Sequence, residues 1–247
     1  THSKIVLMMQ NTISHEIAKE MRTDILRQRY VCGDRLPSER DLATRFDASR
    51  GAVREALSQL EQSGLIEIQL GGARVRSIQS ASISVLGPLM ALDETPDPAL
   101  IDQFIQTFAA LSALTAREAI NYANQEEMNR LRQMVVSLNK QAEYSQAMAP
   151  KWREFLEILA EIADNLVVHL IGNDLRAQFV DQMTELGLQP VLRKKVVNGV
   201  VSSLKRAVAD RNGDLAHQAV QQYFDELRQS VVKLFDSRLR NYRKQVI

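Results

Sequence analysis

The chain has 247 residues, 45% of them hydrophobic and 25% charged, with 31 Lys and Arg against 30 Asp and Glu. A folded protein of this length is expected to have two domains, and its near-zero net charge gives no bulk argument for nucleic-acid binding. The one cysteine, Cys32, excludes a disulfide within the chain and a cysteine-rich zinc site, and it predicts a cytoplasmic protein. No run of about 18 apolar residues is present, so we expect no membrane partner.

The first predicted element is an amphipathic helix over residues 11–29. Apolar residues recur there at intervals of four, which places them near one face of a helix. They are Ile13, Ile17, Met21 and Ile25. We expect this face to be buried.

Two further helices follow in quick succession. Ser38 precedes a short segment with Glu39 and Asp41 in its first turn, and Ser49 precedes "RGAVREALSQLEQ", which ends at Gly64. A hydroxyl before an amphipathic run is an N-cap signal, and glycine ends helices. Two helices joined by a turn of a few residues predict a helix-turn-helix.

After Gly64 the apolar period changes from that of a helix to that of a strand. The stretch "LIEIQLGGARVRSI" alternates apolar and polar residues around a glycine pair. This pattern predicts a two-stranded hairpin with Gly71 and Gly72 at its turn. Residues 8–78 are therefore predicted to form a winged helix-turn-helix domain.

The remaining chain carries helical signals alone. Prolines mark a linker or short helices over residues 79–98, and residues 99–247 are predicted to form an all-helical domain. Breaks are predicted at "NYANQ", "AMAP", "IGND", "LGLQP" and "RNGD". The helices between them cover residues 98–122, 125–147, 150–171, 173–185, 189–211 and 213–244. The fold class is thus mainly α, with one small hairpin and a helical bundle.

The third helix carries the residues best suited to contact DNA. Arg50 and Arg54 share one face, because positions four apart are neighbours on a helix. The small Gly51 and Ala52 would let this face approach a duplex closely. Arginine matches the paired acceptors of a guanine edge or a phosphate. We therefore predict that this helix recognises DNA.

Other arginines extend the predicted DNA surface beyond this helix. Arg40 follows the Ser38 cap and could contact a base or a phosphate. Arg74 and Arg76, on the second strand of the hairpin, could reach the backbone or the minor groove. The partner predicted from these positions is double-stranded DNA.

The stretch "LPSERDLATRFDASRGAVREALSQLEQSGLI" resembles the winged helix-turn-helix of GntR-type bacterial regulators. The resemblance implies that Arg40, Ser49, Arg50 and Arg54 touch DNA and that Gly71 lies at the tip of the wing, next to Gly72. It also implies a homodimer on a palindromic operator, which agrees with recognition helices that address half-sites about one turn apart.

The rest of the chain is similar to the helical effector domain of the FadR branch of that family. Many members of this branch hold a metal with one Asp and three His. Leu156, Val201 and Tyr223 occupy the three histidine positions here, so the resemblance implies no metal and no other cofactor. The four histidines of the chain are also not spaced as metal ligands.

The same resemblance implies a small acidic effector, a fatty acyl-CoA or a related carboxylate metabolite. Candidate ligand-binding residues are Arg117, Trp152, Arg153 and Tyr223, with Tyr122 as a further aromatic. Arg117 could instead pair with Glu118 or Glu161, since a buried arginine needs a partner.

Two alternatives to an effector-binding regulator differ in what the helical domain does. It could have a filled, ligand-free interior and act through protein partners. It could also catalyse a reaction, but no Ser-His-Asp spacing, phosphate loop or metalloprotease motif is present. We therefore expect a ligand-responsive transcriptional regulator that is not an enzyme.

Overall fold

The computed structural model describes residues 2–93, 97–141, 145–185 and 191–245, with side chains for 13–93, 97–138, 150–176 and 191–235. The chain divides into two compact units, Thr1–Thr95 and Pro96–Ile247. The described part of the first unit contains four helices, a hairpin and two 3-10 turns, and the second unit is helical throughout its described part. This confirms the predicted fold class.

In the first unit, α1 covers His2–Leu26, α2 Glu39–Arg45 and α3 Arg50–Gln62. Ile17, Met21 and Ile25 of α1 are buried as predicted, whereas Ile13 is 41% exposed. Steps of four residues drift by about 40° around a helix, so a stripe of four such positions cannot stay on one face. Ala18 is buried on the core side instead.

Serine caps begin both helices of the helix-turn-helix. Ser38 Oγ accepts from Asp41 N at 3.2 Å, and Ser49 Oγ accepts from Ala52 N at 3.1 Å. Each bond satisfies one of the backbone donors that a helix start leaves free. The turn between the helices uses Asp47 at φ 46°, a backbone conformation that Asp and Asn tolerate better than most residues. The predicted helix-turn-helix is confirmed.

The hairpin pairs β1, Ile66–Gln69, with β2, Gly72–Val75, in antiparallel register. Because Gln69 is paired with Gly72, the two turn residues are Leu70 and Gly71. The predicted turn at Gly71 and Gly72 was therefore wrong by one residue. An apolar Leu70 gave no turn signal, yet the strand pairing leaves it fully exposed at the tip.

One backbone contact of this unit was not predicted. Residues 33–36 run along the free edge of β2, where Leu36 N donates to Ala73 O and Val75 N donates to Asp34 O, both at 2.9 Å.

The segment predicted as a linker or short helices contains 3-10 turns at Ile78–Ser80 and Ile83–Val85 and the short helix α4, Leu86–Met90. Val85 lies in the core of the first unit.

The second unit consists of six helices in its described part. They are α5 Pro98–Tyr122, α6 Gln125–Gln141, α7 Ser145–Ala163, α8 Leu166–Glu185, α9 Lys194–Ala209 and α10 Gly213–Gln245. Asn124 caps α6, accepting from Glu126 N and Glu127 N, and Asn212 caps α10, accepting from Leu215 N. The predicted breaks at "NYANQ" and "RNGD" are confirmed.

The predicted break at "IGND" was wrong, since α8 runs through Gly172 and Asn173. One glycine lowers helix stability by only about 1 kcal/mol, which neighbouring turns can offset. The chain breaks earlier, where Asp164 has φ 45° and Asn165 Oδ1 accepts from Val168 N. The break at "AMAP" was wrong too, because α7 includes Pro150 near its start. The break at "LGLQP" lies outside the described residues.

Helix α5 is central to this unit and packs against α10, α7 and α8. By length and mean hydropathy it could cross a membrane, contrary to the expectation that no segment has this character. Its buried residues include Ile101, Phe104, Ile105 and Ile120, so these apolar side chains serve the bundle core. At one end Arg228 of α10 donates to both oxygens of Asp102, at 2.8 and 3.0 Å.

Candidate nucleic-acid interface

Helix α3 has one buried and one exposed face, as its sequence predicts. Val53, Ala56, Leu57 and Leu60 are buried in the core of the first unit. Arg50, Gly51, Arg54 and Glu55 are exposed. This division holds the helix firmly while leaving its arginines accessible to a partner.

Ala52 does not belong to the exposed face. It is 3% exposed and lies in the core with Ala56, four residues later on the same side. The prediction that Ala52 clears space for a duplex was therefore wrong. Of the two small residues only Gly51 lies on the exposed face of α3. A Cβ at Gly51 would meet nothing closer than Ser49 Oγ at 3.7 Å.

The two arginines of α3 have different surroundings. Arg54 Nε and Nη2 donate to the two oxygens of Glu39, at 3.3 and 3.1 Å. These bonds hold the pKa of the Glu39 carboxyl below its usual value. Arg50 makes no hydrogen bond or ion pair with the side chains that the structure describes, although its charge also lowers the pKa of the Glu39 carboxyl. Glu39 is a member of this surface that the sequence reading missed.

Arg40 projects from the start of α2 with its side chain 76% exposed, 3.8 Å from Asp41 Oδ1. Behind it, α2 is fixed to α1 by a charged network. Arg45 Nη2 donates to Asp24 at 2.9 Å and to Glu20 at 2.6 Å, and Asp24 is 3% exposed. A buried carboxylate needs such partners, so this network helps to set the position of α2.

The wing brings together arginines from two segments. Arg74 Nη1 donates to Gly33 O at 3.0 Å, and Arg35 lies directly across from Arg74 in an isolated β-bridge. Gly72 has φ 109°, and a Cβ there would lie 3.1 Å from Arg35 Nε. Gly72 therefore permits the Arg35 side chain to cross the hairpin backbone. Arg35 was missed because nothing in the sequence links residues 33–36 to the hairpin.

Arg76 follows β2 and is exposed. We expect Arg76→Ala to weaken binding to specific and scrambled duplexes alike, because an exposed arginine at the wing is placed for phosphate rather than for a base edge. The slope of log affinity against log salt should fall by about one. Fluorescence anisotropy at several salt concentrations measures both quantities. A loss confined to the specific duplex would contradict this role.

The predicted ligand-binding residues do not form one site. Trp152 and Tyr223 are buried and stack with ring centroids 3.7 Å apart. Burial raises the pKa of Tyr223 well above its ordinary value. Arg117 lies 4.0 Å from Asp214, rather than pairing with Glu118 or Glu161 as considered above, and Tyr122 is 77% exposed.

A cavity of about 270 Å³ lies between α5, α7 and α8. Of the four predicted residues only Arg153 lines it. Its other polar lining includes Ser112, Thr115, His169, Asn173 and Arg176, together with the carboxylates of Glu157 and Glu161. Arg176 and His169 were not predicted at one site, because α8 was predicted to be broken between them.

The positions that the resemblance assigned to metal-binding histidines hold residues that do not suit a metal. Leu156 lines the cavity, Val201 is buried, and burial raises the pKa of the Tyr223 hydroxyl. Within the described ranges no three His, Cys, Asp or Glu side chains are close enough to share a metal ion. The absence of a cofactor stays a prediction.

Comparison with known proteins finds similarity to a family within the first unit. Residues 13–75 match the model of the gntR family of bacterial regulatory proteins. The chain is 30% identical over 161 residues to the HTH-type transcriptional repressor NanR of Enterobacter sp. (strain 638), covering 64% of this chain and 61% of that protein. NanR of Escherichia coli (strain K12 / DH10B) is 29% identical over 160 residues, covering 64% of this chain and 60% of the repressor.

A solved structure has the same fold over most of the chain. It is Lar, which controls expression of the Listeria monocytogenes agr system, and it aligns with a TM-score of 0.51 at 16% identity over 90% of this chain and 97% of Lar. The chain spans about three fifths of the length of the NanR repressors that it matches. Residues 13–75, which form the winged helix-turn-helix, are similar to the gntR family of bacterial regulatory proteins.

Proposed function

We propose that the chain is a DNA-binding transcriptional regulator that acts as a homodimer on a palindromic operator. The observation that carries this proposal is the outer face of α3, where Arg50 is exposed and without a hydrogen-bonding partner in the described structure while the opposite face is fixed in the core. Similarity to NanR repressors supports it. The relatives are regulators of transcription, which agrees with a protein that is not an enzyme.

Selection of bound duplexes from a random pool tests this proposal with the full chain. A dimer should enrich two inverted half-sites about one helical turn apart, near 34 Å, since each α3 reads one half-site. Native mass spectrometry should show two chains on each enriched duplex. If no sequence is enriched over the starting pool, the chain does not recognise an operator.

For the helical domain we propose a small acidic effector that binds at the cavity between α5, α7 and α8. Arg153 and Arg176 line this cavity, and arginine is well suited to bind a carboxylate through two bonds. Arg176 is engaged by Glu157 at 3.1 Å, so an anion would compete for it. A carboxylate metabolite is favoured over a long acyl-CoA, because about 270 Å³ is small beside the roughly 300–1,000 Å³ of most ligand sites.

Titration of operator affinity with carboxylates and acyl-CoAs tests the effector. An effector that prefers the DNA-free form weakens operator binding, and couplings of about 1–3 kcal/mol correspond to roughly 5- to 150-fold. Arg153→Ala should abolish the response while leaving affinity without effector unchanged. Arg132→Ala, an exposed arginine on α6 outside the cavity, is the matched control. If operator affinity stays constant with every compound tested, the proposal of an acidic effector is contradicted.

The second candidate is a regulator whose helical domain has a filled interior and acts through protein partners. The stacked Trp152 and Tyr223, which occupy positions expected to bind ligand, favour it. Trp152 is the single tryptophan of the chain, so its fluorescence reports on this interior. Unchanged emission together with unchanged operator affinity in the same titration would support this candidate over the first.

A further inference from the structure

Glu39 is the first residue of α2, and its position is set by the Ser38 cap that precedes it. Its carboxylate accepts two hydrogen bonds from the Nε–Nη2 edge of Arg54, at 3.3 and 3.1 Å. The side chains are 40% and 71% exposed, so this pair lies at the surface beside Arg50. An acidic side chain on a surface that is expected to meet phosphates requires an explanation.

The contact leaves Arg54 with one edge bound and one edge free. A guanidinium has five N–H donors, and the Nε–Nη2 edge is the one that Glu39 occupies. Nη1, which has no hydrogen bond to the described residues, can still act with Nη2 as an end-on pair of donors. Such a pair matches the O6 and N7 acceptors of guanine. Glu39 therefore restricts how Arg54 can approach DNA.

The carboxylate also changes the charge that phosphates meet. It offsets part of the Arg54 charge through direct hydrogen bonds, whereas Arg50 on the same face makes no contact with it and interacts only through charge. Attraction to phosphates is the sequence-independent part of DNA binding, and hydrogen bonds to base edges supply the discrimination. Holding Arg54 against a carboxylate thus weakens its attraction to phosphates and preserves its hydrogen bonds to base edges.

We propose that Glu39 is a specificity-determining residue that positions Arg54 for one base edge and keeps it off the phosphate backbone. Glu39 acts through Arg54 and does not itself need to touch DNA. It can have this role only if the chain binds an operator as proposed above.

The test compares Glu39→Gln with wild type on two duplexes, one enriched from the random pool and one scrambled. Glutamine keeps the size of the side chain and removes its charge. We expect tighter binding of the scrambled duplex, a salt slope steeper by about one, and a fall of about tenfold in the ratio of specific to non-specific affinity. Circular dichroism of each variant establishes that the helices are retained.

Two further variants separate positioning from a general loss of charge or stability. Glu154→Gln removes a carboxylate from an exposed ion pair of α7, Glu154 with Lys151 at 2.6 Å, and should leave the affinity ratio unchanged. In an Arg54→Ala background, Glu39→Gln should have no further effect on the ratio, because coupled residues are not additive.

The proposal is overturned if Glu39→Gln leaves the affinity ratio unchanged, or lowers affinity for both duplexes equally. It is also overturned if the effect persists without Arg54. A wild-type chain that enriches no duplex would instead overturn the proposed function. The two failures are therefore distinguishable.

Discussion

Arg50→Ala is expected to weaken binding to the enriched operator by about 1–3 kcal/mol, a loss of roughly 5- to 150-fold. Arg50 is the first residue of α3, is exposed, and has no hydrogen bond to the described protein, so its guanidinium is available to a base edge. The loss should be much smaller on a scrambled duplex. Sequence preference should relax at one position of each half-site.

Arg132→Ala is the control for Arg50, since it removes an exposed arginine from α6 and leaves the first unit intact. Anisotropy titrations of both variants with both duplexes give the four affinities required. Equal affinity of wild type and Arg50→Ala for the operator would exclude α3 as the recognition helix. Equal losses on both duplexes would reassign Arg50 to phosphate.

Gly64→Ala is expected to destabilise the first unit by about 2–4 kcal/mol, through a strained backbone and overpacking. Gly64 follows α3 at φ 75°, a left-handed conformation that glycine adopts without a steric penalty. A Cβ there would lie 2.6 Å from Ser80 O and 3.0 Å from Ala81 Cα. These are backbone atoms, and the 80–82 segment is tied to the end of α3 by Ser82 N donating to Ser63 O at 2.9 Å.

Hydrogen exchange of the α3 amides measures this effect directly, because it reports the opening of the first unit separately from the helical domain. Gly71→Ala is the matched control, since a Cβ at the hairpin turn would meet nothing within 4 Å. Its expected change is below about 0.5 kcal/mol. Unchanged protection of α3 in Gly64→Ala would show that the turn can rearrange at little cost.

Local signals were sufficient where a residue acts on its own chain neighbours. Ser38 and Ser49 predicted the starts of α2 and α3 because a cap bonds to an amide three residues later. The turn at Asp47 and the end of α3 before Gly64 were also predicted from residues within a few positions of each feature. The failures at Gly72 and Gly172 have the opposite cause, since strand register and neighbouring helical turns override the weak breaking tendency of a glycine.

The DNA-facing surface could be predicted only in part. The spacing of Arg50 and Arg54 places both on one helix face, but Ala52 was assigned to the wrong side because its small size suits either environment. Glu39 and Arg54 are fifteen residues apart, and Arg35 and Arg74 thirty-nine. No periodic pattern connects positions so distant in sequence, so these partners appeared only in the folded unit.

The sequence by itself determined the order of the helices, the hairpin, the caps and the outward arginines, because these depend on spacing within a few residues. Tertiary structure alone decided which charges meet, as in Glu39 with Arg54 and Asp24 with Arg45. It also decided that Trp152 and Tyr223 stack in the bundle while Arg153 lines the cavity. Long-range contacts depend on how whole elements pack, and packing is set by the complete set of buried surfaces rather than by any local run of residues.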